Sequence, residues 1–188
     1  MAADDQLPFR ASALGRPYDR LDTFPVSVVL DSVRSLYNVG AFFRTLDAAR
    51  ASHLYLAGIS ATPPHARLSK TALGADETVP WSRADDVVAL VGGMRVQGIT
   101  VAAVETRPTA VDLFDWRPSF PVCVVFGHEV EGLRPAVVEA CDVAVHVPML
   151  GRKSSLNVAT AGGIVVYELL RQYRQQHRSR TSADTSWI

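Results

Sequence analysis

VCVVFGHEVEGLRPAVVEACDVAVHV, Val122 to Val147, holds an unbroken apolar run, a glycine-bounded turn, a short stretch opened by proline and a second apolar run. Val122–Phe126 is apolar at every position and Val143–Val147 at all but His146, as suits strands buried on both faces. Pro135–Ala140 between them reads as a helix, with proline tolerated in its first turn. Two strands joined through a helix form a parallel unit, so the stretch implies a mostly parallel sheet covered by helices on both faces, an α/β fold.

The rest of the chain extends this reading. Val26–Leu30, His53–Leu56, Thr78–Trp81 and Ile99–Val104 are further strand candidates. Asn38–Arg50 and Asp85–Gln97 carry apolar residues at helical spacing, and Gly98 stops the second. The proline-rich ATPPHARLSK, residues 61–70, reads as a connection. The expected organisation is a polar arm over residues 1–23, one domain over 24–176 and a polar tail over 177–188.

Of the 188 residues, 48% are hydrophobic and 20% charged, and the net charge is zero. That balance advertises no global field for a polyanion, so any nucleic-acid contact must come from local patches. No apolar run reaches the ~20 residues of a membrane span, and the first ten residues lack the apolar core of a signal peptide, so a cytoplasmic protein with no membrane association is expected. Cys123 and Cys141 have no metal-type spacing and read as packed, reduced thiols. The five histidines likewise show no ligand spacing, and no metal is expected. His146 alternates with valines in a strand and reads as a satisfied structural histidine.

Ligands of open parallel sheets sit beyond the carboxyl ends of the strands. Three stretches there are chemically unusual. In SLYNVGAFFRTLDAA, residues 35–49, Asn38 is placed as a helix N-cap, and Arg44 emerges one turn above Gly40, where a missing side chain leaves room for a ligand or a second backbone. FGHEVEGL, residues 126–133, sets the carboxylate of Glu129 in a glycine-bounded turn that matches neither a P-loop nor a dinucleotide fingerprint. VPMLGRKSSLNVATA, residues 147–161, brings Ser154, Ser155 and Asn157 to the mouth of the last helix. That helix then carries Gly162 and Gly163, each costing about 1 kcal/mol against alanine unless close packing offsets it.

In this order, NVGAFFRTLDAA, FGHEVEGL and VPMLGRKSSLNVATA resemble the three motifs of the SpoU branch of the SPOUT superfamily, the TrmH-like RNA ribose 2′-O-methyltransferases, over residues 26–173. The resemblance implies an α/β domain with a C-terminal trefoil knot, S-adenosylmethionine as cofactor, a homodimer, and transfer or ribosomal RNA as partner. It carries Asn38, Arg44, Glu129, Ser155 and Asn157 over as catalytic residues. By position it assigns cofactor contacts to Glu105, Thr106, Phe126, Gly127, Val147, Met149, Ser155 and Leu156. Gly162 and Gly163 would let the last helix lie close to the knot or to a partner subunit.

Charge adds Arg44, Arg67, Lys70, Arg152 and Lys153 as RNA contacts, with the basic segment from Arg171 to Arg180 as a further patch. A guanidinium stays protonated, so Arg44 suits a bidentate grip on the phosphate beside the target ribose better than the role of base. Ser155, Asn157 and Glu129 would order the loops and the hydroxyl's hydrogen bonds, and the proton would leave to water or to a phosphate oxygen. Two other readings fit the same residues: an RNA-binding module of this fold without turnover, and a nucleotide-binding α/β enzyme of another class.

Overall fold

The computed structural model describes residues 23–178, with side chains through residue 176. The arm and tail expected at 1–23 and 177–188 lie almost wholly outside the described residues, as does the basic segment beyond Arg174.

Seven strands form one sheet. β1 (Phe24–Asp31), β2 (Ala51–Ala57), β3 (Trp81–Ala84), β4 (Thr100–Val104), β5 (Val111–Asp112), β6 (Val122–Phe126) and β7 (Val143–His146) are ordered β3-β2-β1-β6-β4-β7-β5. Every pairing is parallel. The helices are α1 (Leu36–Ala49), α2 (Ala66–Ala72), α3 (Ala75–Thr78), α4 (Val87–Val96), α5 (Pro135–Ala140) and α6 (Val158–Arg178).

The period of two along each strand divides the core. Val122, Val124 and Phe126 of β6 join Val26, Val28 and Leu30 of β1 beneath α1 and α6, whereas Cys123 and Val125 join Val29, Val91 and Val137 on the opposite side beneath α4 and α5. Strands buried on both faces thus follow from the continuous apolar runs. Val39, Phe42, Phe43 and Leu46 of α1 are fully buried, each stabilising by about 1.5–3 kcal/mol. Both cysteines are free and buried, and burial pushes the Cys123 thiol up to about 12.

Several expectations require correction. The third strand is Trp81–Ala84, because Thr78 closes α3 and Pro80 ends the turn that follows. The proline-rich connection leads into α2, opened by the His65 ring, which accepts from Leu68 N–H. Gly40 leaves no room for a ligand: an added Cβ would clash with the Thr71 hydroxyl of α2. Gly162 accommodates the ring of Phe42, which an added Cβ would strike. Gly163 faces open space.

Candidate active site

The carboxyl ends of β1, β4, β6 and β7 open on one rim, and the loops that leave them build the site. After β1, Ser60 fixes the path of the chain by accepting from Val33 N–H and donating to Leu30 C=O. Residues 34 and 35 therefore present their N–H groups to the rim. α1 begins at Leu36 with Ser35 in the N-cap position and no side-chain cap of its own. Asn38 is thus not the cap but a residue of the first turn, because the donors before the helix find their acceptor elsewhere in the fold.

That acceptor is Glu129. Its Oε2 accepts from Arg34 N–H at 3.0 Å, and its Oε1 accepts from Ser35 N–H and Asn38 Nδ2, both at 2.9 Å. Burial alone would raise this carboxyl. The N–H groups of Arg34, Ser35 and Glu129 itself, with the Asn38 amide, outweigh it and hold the group down to about 2. A carboxylate can only accept, so Asn38 must turn Nδ2 toward Glu129 and Oδ1 away. Oδ1 then accepts from Asn157 Nδ2 at 3.1 Å. Asn157 Oδ1 in turn accepts from the N–H groups of Ala159 and Thr160, capping α6. One unidirectional chain of hydrogen bonds thereby joins all three motif stretches.

Glu129 is positioned by a tight turn. His128 and Gly132 pair through their backbones, and His128 Nδ1 accepts from the N–H groups of Val130 and Glu131. Gly132 has φ +70°, and a Cβ there would strike the Glu105 carboxyl; a Cβ on Gly127 would strike the Gly132 carbonyl. Two glycines are needed because three chain segments meet without space for side chains. Glu105 fastens the turn to the end of β4, accepting from Leu133 N–H at 2.9 Å and Thr106 N–H at 3.1 Å.

Between these loops and residues 147–157 lies a cleft of about 540 Å³, within the ~300–1,000 Å³ usual for small-molecule sites. All eight residues expected to touch a cofactor line it: Glu105, Thr106, Phe126, Gly127, Val147, Met149, Ser155 and Leu156. So do Glu129, Asn157 and Ser154. The lining contains the three carboxylates Glu105, Glu129 and Glu131 and no lysine or arginine. Such a cleft favours a cationic ligand and disfavours a phosphate.

Arg44 is not in this cleft. It is exposed on α1 and lines a separate open groove with Ala41, Thr45, Asp47, Leu73 and Tyr167. Asp47 there accepts from the Thr78 hydroxyl. Arg67 and Lys70 are exposed on α2, and Arg152 and Lys153 are exposed in the loop before α6. His146, read as satisfied, has a buried Nδ1 without a partner among the described residues and contributes to the cleft wall. Its place one residue before the β7 loop was the only sequence signal for this, and strand alternation masked it. The Arg134 guanidinium, paired with the buried carboxylate of Asp31 at 3.3 Å, was also missed, since the two lie a hundred residues apart. Among the described residues, no cluster of three metal-ligating side chains occurs and no helix is long and apolar enough to cross a membrane.

Comparison with known proteins adds to this geometry. The sequence profile of the SpoU rRNA Methylase family matches residues 25–167. A 23S rRNA (guanosine-2′-O-)-methyltransferase, RlmB of Vibrio parahaemolyticus, is 34% identical over 148 residues, which are 79% of this chain and 60% of that protein. The chain thus spans about three fifths of that relative's length. Among solved structures, the TrmH/SpoU tRNA modifying enzyme of A. aeolicus superposes with a TM-score of 0.75 at 27% identity, covering 85% of this chain and 81% of that one. The SpoU methyltransferase AviRb of Streptomyces viridochromogenes, in complex with AdoMet, superposes with a TM-score of 0.71 at 29% identity, over 84% and 62% of the respective chains.

Proposed function

The chain belongs to the SpoU rRNA Methylase family, and on that premise we propose that it transfers a methyl group from S-adenosylmethionine to a ribose 2′-hydroxyl of RNA. Ribosomal RNA is the first substrate class to test, because the Vibrio relative is a 23S rRNA enzyme, with transfer RNA second. The observation that carries the reading is the chain Glu129–Asn38–Asn157, which holds the three motif stretches at the mouth of the cleft.

The cleft suits this cofactor in charge and in polarity. S-adenosylmethionine carries a sulfonium and an ammonium, which the three carboxylates complement. Val147 and Leu156 offer apolar surface to its purine, and His146 Nδ1 offers a buried polar atom with no partner among the described residues. The nucleotide-enzyme alternative is disfavoured by the same lining, since the phosphates of NAD or ATP would meet carboxylates without a cation. When bound, the cofactor would supply an electrophilic methyl group for the acceptor oxygen.

The chain's own residues then act chiefly by positioning. Glu129 stays ionised and fixes Asn38; Asn157 fixes the start of α6; Ser155 offers a hydroxyl to the acceptor ribose or to the loop. Arg44 grips the neighbouring phosphate through two parallel N–H donors. Because Arg44 lies outside its own chain's cleft, the active form in this reading is a homodimer, with a second copy presenting its Arg44 to the first copy's cleft. The open face around Gly163 and the half-exposed Tyr167 support a contact between copies there. Residues 24–176 form the methyltransferase domain, and its C-terminal threading as a trefoil knot is part of the same proposal.

Titration with S-adenosylmethionine, followed by mass spectrometry of nucleosides from RNA of a strain lacking the gene, tests the proposal. One 2′-O-methylnucleoside should be missing and should return when the purified protein and cofactor are added. Cofactor binding without any methyl transfer would favour the RNA-binding module instead.

A further inference from the structure

Tyr37 is 76% exposed, the most exposed aromatic side chain among the described residues, and its hydroxyl has no hydrogen-bond partner among those residues. Its backbone is nevertheless held on both sides. The preceding residue, Leu36, gives its carbonyl to the Thr71 hydroxyl at 3.2 Å, and the following residue, Asn38, is fixed by Glu129 and Asn157. A ring mounted in this way and left exposed packs against none of the described core.

Its surroundings are basic. Tyr37, Ala41 and Arg44 stand at i, i+4 and i+7 on one face of α1, with only a methyl group between the ring and the guanidinium. Two helical turns separate them, roughly 10 Å along the axis. Arg34 is exposed one turn before Tyr37, and the docking of Thr71 on Leu36 brings the exposed Arg67 and Lys70 of α2 alongside. Two carboxylates border this face: Glu129 accepts from three N–H donors, and Asp47, in the groove with Arg44, accepts from the Thr78 hydroxyl. An aromatic face among cations is the surface that unpaired nucleotides use, bases stacking on the ring and phosphates meeting the charges.

We propose that Tyr37 is a stacking platform for an unpaired nucleobase of the RNA beside the target ribose, while Arg44, on the same helix face, holds a phosphate of that strand. This deepens the methyltransferase reading and rests on it. It adds a substrate requirement: the nucleotide must lie in a loop, bulge or end, or be drawn out of its helix. The platform serves the cleft that Arg44 serves, which in the proposed homodimer is that of the second copy.

The test compares Tyr37→Ala and Tyr37→Phe with the parent, using protein-free total RNA from a strain lacking the gene. Filter binding should show the alanine variant losing roughly 5- to 150-fold in RNA affinity, the range expected for one stacked base, and the phenylalanine variant restoring most of it. In methyl transfer the loss should fall on KM for RNA more than on kcat, with S-adenosylmethionine affinity by titration unchanged. RNA affinity of the alanine variant within about twofold of the parent overturns the platform. So does failure of phenylalanine to rescue, or a change of oligomeric mass in the alanine variant, which would mark Tyr37 as a contact between copies. A parent that binds RNA but transfers no methyl group overturns the proposed function instead, and filter binding still decides the platform.

Discussion

Replacing Glu129 by glutamine removes a charge while keeping the bulk, and its consequences follow from three hydrogen bonds. The carboxylate accepts from Arg34 N–H, Ser35 N–H and Asn38 Nδ2 at 2.9–3.0 Å. A hydrogen bond to a charged group contributes about 1.5–3 kcal/mol when shielded. Glu129 is partly exposed and water can replace much of the loss, so the three together are set at roughly 1–3 kcal/mol. At about 2–4 °C per kcal/mol for a chain of this size, the melting temperature should fall by roughly 2–12 °C.

The pH dependence separates charge from shape. Glu129 sits at about 2 in the fold against 4.5 for the free group. Its contribution is therefore fully present above pH 4.5 and is lost as pH falls through the folded value. Melts followed by circular dichroism should show the same gap between parent and Glu129→Gln at pH 7 and pH 5.5, narrowing only below 4.5. A gap under about 1 °C at pH 7, or one that closes between pH 7 and pH 5.5, would refute the reasoning.

Asn157→Ala removes the cap of α6 and the bond to Asn38, and should cost about 1–2 kcal/mol in chemical denaturation together with most methyl transfer. Arg44→Lys keeps the charge but loses the paired donors; kcat/KM for RNA should fall by about 10- to 100-fold with stability unchanged, and full turnover at unchanged RNA affinity would exclude the bidentate grip. Gly162→Ala forces a methyl group into the Phe42 ring and should destabilise by about 1–3 kcal/mol, whereas Gly93→Ala, in open space on α4, should stabilise by up to about 1 kcal/mol; equal effects in urea melts would contradict the packing. Cys123, buried with its thiol pushed up to about 12, should resist a thiol reagent at neutral pH until the protein unfolds.

The parallel sheet was legible because Val122–Phe126 is apolar at every position and Val26–Leu30 at all but Ser27, and burial on both faces uses such runs. β3 was misplaced by a few residues, since Thr78–Trp81 is as β-like in composition as Trp81–Ala84 and only the turn at Pro80 decides between them. α2 escaped notice behind two prolines and a histidine cap, and β5, at two residues, is too short to leave a period.

At the candidate site, the residues that line the cleft were legible and their relations were not. Glu129 and Asn157 stood out by their loops, but that Asn38 is tied to both is a fact of three dimensions. Local reading gave Asn38 the nearest task, capping its own helix, whereas the cap comes from a carboxylate ninety residues away. Gly40 misled in the same manner: the gap it opens is filled by Thr71, a neighbour that only the packing of α2 on α1 supplies.

The central claim is that the turns after β4, β6 and β7 hold a sulfonium methyl donor. Diffraction from a crystal soaked with S-adenosylmethionine tests it most directly. Density should appear in the cleft, with the purine beside Val147 and Leu156 and a polar atom within hydrogen-bond distance of His146 Nδ1. Density elsewhere, or a cleft closed by its own loops with the donor in excess, would contradict it.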